Sequence, residues 1–188
     1  MRITLPPWPE SAPGAAGRES PEFFWRSLSL FNFYRVALAV VFIATSALFG
    51  SELVFGSHHL TIFRYGAAAY LLFGLACFAP IRARAPSFER QLGLQVGGDI
   101  VFMTVLTHAS GGIQSGIGLL LLASIAAAGL ISRGRLTLFF AALASIAALL
   151  EQTYAILAGD AALSQFFQAG MLSMGYFAVA WVAHTLAR

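Results

Sequence analysis

Two runs decide how this chain folds: Leu119-Leu120-Leu121-Leu122-Ala123-Ser124-Ile125-Ala126-Ala127-Ala128-Gly129 and Ala141-Ala142-Leu143-Ala144-Ser145-Ile146-Ala147-Ala148. Neither contains a charge, and neither alternates polar with apolar residues, so each is apolar on every side of a helix. A helix of that kind is buried in a large core or in lipid. Between them stands Arg133-Gly134-Arg135, a break with two charges. Outward from this pair the same arrangement recurs. About 20 mostly apolar residues are needed to cross a bilayer as a helix, and six stretches meet that need: 32–52, 61–80, 91–109, 115–132, 135–159 and 163–187. Ser57-His58-His59, Pro80 through Arg90, Ser110 through Gln114 and Gly159-Asp160 separate the others. The expected fold is an all-α membrane protein, a bundle of six transmembrane helices. A membrane β-barrel is excluded, because its strands of about 10 residues alternate in hydrophobicity.

Composition agrees. Of 188 residues 59% are hydrophobic and only 10% charged, with a mean hydropathy of +0.78; a soluble domain carries about 25% charged residues. Cys77 is the only cysteine, which excludes a disulfide scaffold. The net charge of +3 and the scattered arginines exclude a nucleic-acid reader. Short cytoplasmic loops collect Lys and Arg. Arg2, Arg18, Arg26, Arg35, Arg82, Arg84, Arg90, Arg133, Arg135 and Arg188 fall on one side of the layout and Arg64 alone on the other. Both termini are therefore expected in the cytoplasm.

Residues 1–22 hold five prolines and cannot build a core, so a disordered cytoplasmic tail is expected there, followed by a membrane domain over 23–188. Phe23, Phe24, Trp25, Phe31, Phe33 and Tyr34, interleaved with Arg26 and Arg35, suit the headgroup layer. That segment is expected to lie along the inner surface before the first span.

A charge at mid-membrane costs about 2.5–3.5 kcal/mol on insertion scales, so each one needs a reason. Asp99 lies about 12 Å inside the third span at 1.5 Å per residue. It is either a protonated carboxyl bonded to a neighbouring helix or part of a signalling or ligand site. Glu151-Gln152 lies about two-thirds of the way across the fifth span and, with Gln114 and Ser115, is a candidate recognition surface. Glu52 and Arg64 are expected to form an interfacial ion pair. Small residues four apart, Gly112 with Gly116, Ser124 with Ala128 and Ala141 with Ser145, allow close helix approach in lipid. They serve packing within the chain or a face offered to another membrane helix.

No catalytic residues are assigned. Ser115-Gly116 and His184 resemble parts of an intramembrane serine protease, but the expected topology sets them at opposite faces. A nucleophile and its base need about 3 Å. His58, His59 and His108 share the outer face, yet adjacent loop histidines do not make a metal site by themselves. A small transporter or channel remains the competing class, although neither repeated halves nor broken helices appear.

Other features are more specific. Leu30-Phe31-Asn32-Phe33-Tyr34-Arg35, the run His108-Ala109-Ser110-Gly111-Gly112-Ile113-Gln114-Ser115-Gly116-Ile117-Gly118 with the apolar stretch after it, and Leu149-Leu150-Glu151-Gln152 are together similar to the membrane sensor of PilS-type sensor histidine kinases. The resemblance covers roughly 23–188 and implies a bacterial inner-membrane sensor, a homodimer in membrane lipid, that monitors the transmembrane helix of pilin. It implies a relay through span six to a kinase that phosphorylates a PilR-type response regulator. This chain has no phosphoacceptor box and no ATP lid, so it is expected to be either a fragment of such a kinase or a stand-alone sensor module. The related RegB sensors bind quinone near a Gly-Gly-x-Asn-Pro-Phe loop. Here Gly111-Gly112 is followed by Ile113-Gln114-Ser115, which makes quinone the lesser alternative, and no cofactor is expected.

Overall fold

A computed structural model describes residues 21–50, 55–84, 87–131 and 135–186. Six α-helices follow one another: α1 Pro21–Phe49, α2 Leu60–Ala83, α3 Phe88–Ala109, α4 Ile117–Ile131, α5 Arg135–Ala158 and α6 Leu163–Leu186. The 3₁₀ turn Gly112–Ser115 joins α3 to α4, and no strand occurs among the described residues. Five of the helices are long and apolar enough to cross a membrane; α4, at 15 residues, is the exception. It reaches about 22 Å, short of the roughly 30 Å of hydrocarbon.

Two boundaries differ from those expected. The first helix begins at Pro21 and runs without a break through Asn32, so the aromatic segment is the first part of the span helix and not a separate surface helix. Proline suits a first helical position, where its missing N–H is not needed. Helix α2 continues past Pro80 and ends at Arg84, whose φ of 52° is the left-handed cap that closes a helix. The predicted tail falls outside the described residues as far as Ser20.

The connections fix how the helices run. His58 and His59 N–H groups both donate to the Ala109 carbonyl, at 3.2 and 2.9 Å, and the Gly56 N–H donates to the Ser110 hydroxyl at 2.9 Å. His58 also lies 3.5 Å from Asp160. The α1–α2, α3–α4 and α5–α6 connections therefore meet at one end, here called the histidine end, and successive helices run antiparallel. Helix α3 is central: it packs on α2, α4 and α5, while α4 and α5 both pack on α6. Phe42, Phe55 and Phe63 cluster at 5.7–6.2 Å between ring centres and fasten α1 to α2 near the histidine end.

Candidate functional site

Polar side chains are gathered into two centres. The first lies near mid-height, where α1, α2 and α3 meet. Arg35 is fully buried, halfway along α1, and Asp99 is fully buried halfway along α3. The guanidinium Nε donates to one Asp99 oxygen at 2.6 Å and Nη2 to the other at 2.8 Å. Nη1 donates to Asn32 Oδ1 at 2.9 Å and to Gln95 Oε1 at 3.1 Å, and Nη2 also donates to the Gln95 carbonyl at 3.3 Å. A guanidinium has five N–H groups, and here all five have acceptors. Phe31 and Phe73 face its carbon at 5.0 and 5.6 Å. The Tyr70 hydroxyl donates to Asp99 at 2.9 Å, and the Asn32 amide donates to the Gly74 carbonyl on α2 at 2.9 Å.

This corrects one expectation. Arg35 belongs to the bundle interior and not to the headgroup layer, and Asp99 faces its guanidinium there. Three donor groups, Arg35 Nε, Arg35 Nη2 and the Tyr70 hydroxyl, converge on Asp99. Along the same face of α3, Gln91 has no partner for either amide atom and Gln95 none for its Nε2.

The second centre lies toward the histidine end. Glu151 on α5 is 3.3 Å from His108 Nδ1 on α3, and its side chain is only 6% exposed. Gln152 is fully buried; its amide donates to Gln165 on α6 at 3.3 Å, and its Oε1 has no partner. Glu151 and Gln152 oxygens stand 3.9 and 3.6 Å from where a Cβ on Gly112 would be. A cavity of about 20 Å³ opens beside Glu151. His58, His59 and His108 cluster with ring centres 4.3–6.3 Å apart, but no group of three or more His, Cys, Asp or Glu able to hold a metal occurs among the described residues.

A family model described as a PilS-like transmembrane domain matches residues 18–188. The chain belongs to the PilS-like transmembrane domain family. It is 34% identical over 177 residues to the sensor protein kinase PilS of Pseudomonas aeruginosa, covering 91% of this chain and 32% of that protein. The chain thus spans about a third of that relative's length. No solved structure matches. Membership makes this a multi-pass domain of the bacterial inner membrane.

Within this PilS-like domain the sequence candidates separate. Asp99 sits in the first centre, Glu151 and Gln152 in the second, next to Gly112. Ser115 is turned inward on its own loop, donating to the Gly112 carbonyl at 2.8 Å, while Gln114 is exposed. Gly112 and Gly116 do not form a helical packing face. Gly112 opens the 3₁₀ turn and Gly116 follows it, with φ of 81° and 73°, values that favour glycine, and a Cβ on Gly116 would meet no atom within 4 Å. Ser124, Ala128, Ala141 and Ser145 are buried within the chain, and Ser145 donates to Ala141 at 2.8 Å and to the Ser173 carbonyl of α6 at 3.4 Å. Arg64 donates to the Ser46 carbonyl at 2.9 Å; Glu52, its expected partner, lies outside the described residues. Sequence reasoning passed over Arg35, Asn32, Tyr70 and Gln95. The four-residue spacing of Gln91, Gln95 and Asp99, which aligns them on one face of an apolar helix, was the signal for the last of these.

Proposed function

We propose that this domain is the sensory input module of a PilS-like two-component histidine kinase, crossing the inner membrane six times with both ends in the cytoplasm. It detects the transmembrane helix of pilin within the lipid and acts as a homodimer. The change passes along α6 to a kinase, which phosphorylates a PilR-type response regulator. The observation that carries this reading is the link from the second centre to the output helix. Gln152 bonds Gln165, and Ser145 bonds the backbone at Ser173, so a shift of α5 at Glu151-Gln152 is handed directly to α6. A partner moves such an equilibrium only by binding two packings with different affinity. An apolar helix that meets the exposed Gln114 and the outward face of α5, at Leu150 and Tyr154, has polar and apolar contacts to change.

The test is photo-crosslinking in membranes that contain pilin, with the reactive group placed in turn at Gln114, Leu150 and Tyr154, and at Leu72 and Leu75 on α2 as controls. Pilin adducts from the first three positions support the proposal. Adducts only from α2, or from none of the five, would remove pilin recognition from this surface.

A further inference from the structure

Three histidines and two carboxyls meet at the histidine end. His58 Nε2 lies 3.5 Å from an Asp160 oxygen, which joins the α1–α2 connection to the α5–α6 connection. His108 Nδ1 lies 3.3 Å from Glu151, which joins α3 to α5. His59 adjoins both histidines: its ring centre is 4.3 Å from that of His58 and 6.3 Å from that of His108, while those two rings are 6.1 Å apart. Among the described residues no carboxylate comes within ion-pair reach of His59. Tyr154 of α5 sets its ring edge-on to His108 at 5.5 Å, and Arg64 of α2 gives a hydrogen bond to the Ser46 carbonyl.

Imidazole is the side chain that exchanges a proton between about pH 5 and 8, and the separations rank what each proton does. A charge on His58 or His108 faces a carboxylate at 3.3–3.5 Å. That attraction exceeds the repulsion between the two rings at 6.1 Å. Two protons are therefore matched one to one. A third, on His59, meets one charged ring at 4.3 Å and another at 6.3 Å with no carboxylate of its own, so repulsion prevails. The two pairs are unequal. The His58 and Asp160 side chains are 32% and 43% exposed, and solvent weakens such a pair, whereas Glu151 is only 6% exposed and its contact is the stronger.

We propose that the histidine end is a proton-operated clamp, closed by two protons and opened by a third. Closed, it holds the α1–α2 connection to Asp160 and holds α3 to α5 through Glu151. The residue after Glu151 is Gln152, whose amide bonds Gln165 of α6, so the clamp bears on α6 as well. It requires nothing of pilin recognition and goes beyond it. A failed clamp and a loss of pilin crosslinks are separate results.

The experiment uses the full chain in phosphatidylcholine nanodiscs. Spin labels are placed by Thr61→Cys and Ala162→Cys, both at exposed positions, in a Cys77→Ala background. The distribution of label distances should narrow from about pH 8 to 6 and broaden again toward pH 5. Replacing His58 and His108 together with glutamine should abolish the narrowing, and His59→Gln should keep the narrowing and abolish the broadening. A second measurement needs no variant. The His58 and His59 amides are bonded to the Ala109 carbonyl across the same junction. Their hydrogen exchange in the unmodified chain, corrected for the intrinsic effect of pH, should be slowest near pH 6. Label distances or amide protection that ignore pH would overturn the proposal. So would narrowing that survives loss of both paired histidines, or broadening that survives His59→Gln.

Discussion

Replacing Asp99 alone leaves the Arg35 guanidinium buried with two of its five N–H groups unanswered, and replacing Arg35 leaves a carboxylate with only Tyr70 for company. Removing one member of a buried pair costs about 3–5 kcal/mol, because the survivor is an uncompensated charge, whereas replacing both with apolar residues is often close to neutral. Asp99→Leu and Arg35→Met should each lower stability by about that amount, and the double variant should recover most of the loss. Unfolding equilibria in mixed micelles measure this; three equal losses would show that the pair contributes through packing and not through charge. A neutral bond offers a comparison. Tyr176→Phe removes the hydroxyl that caps the Gly118 carbonyl across α4 and α6, and the same assay should report a loss of about 1 kcal/mol.

Among the helices, α4 packs tightly against α6 and α5 at Gly129, where a Cβ would stand 2.5 Å from the Ala183 Cβ and 3.0 Å from Thr137 Cγ2. Gly129→Val forces α6 outward and should cost about 1–3 kcal/mol, the usual range for overpacking. Gly116→Ala meets no atom within 4 Å, yet its φ of 73° penalises a side chain, so a loss of about 1–2 kcal/mol is expected from backbone strain alone. Thermal unfolding of the two variants separates crowding from strain. Enlarging Ala183→Gly space should rescue Gly129→Val and leave Gly116→Ala unimproved. The helices themselves were legible in the sequence, since apolar runs between Gly, Ser and Arg breaks need no tertiary information. The interior of the bundle was legible only in part. Asp99 and Glu151 stood out because a carboxylate within an apolar run has few explanations. Arg35 did not, because an arginine beside aromatic residues reads equally well as an interfacial anchor, and its partner is 64 residues away. Gly112 and Gly116 misled for a related reason: four-residue spacing has helical meaning only if the residues between are helical, and positive φ at both breaks that condition.

Across the whole molecule, the three connections at the histidine end meet one another. With six crossings they should share one side of the membrane. Cys77 is buried, so its replacement by alanine gives a background for single-cysteine labelling. Cysteines at Ser57, Gln114 and Asp160 should react with an impermeant maleimide added outside intact spheroplasts, and those at Arg84 and Ser87 only after lysis. Labelling of Ser57 and Asp160 on opposite sides would refute the six-crossing topology. The buried pair of α1 and α3 also bears on how the protein is made. Arg35 leaves the ribosome 64 residues before Asp99, so α1 reaches the insertion machinery while its counter-ion does not yet exist. On insertion scales an arginine at mid-helix is penalised by about 2.5–3.5 kcal/mol, and that penalty persists until α3 is synthesised. The first hairpin is therefore a provisional insertion. Its commitment to the bilayer comes with the arrival of the third helix, which gives biogenesis of this domain an obligatory order, amino-terminal half first and α1 locked by α3.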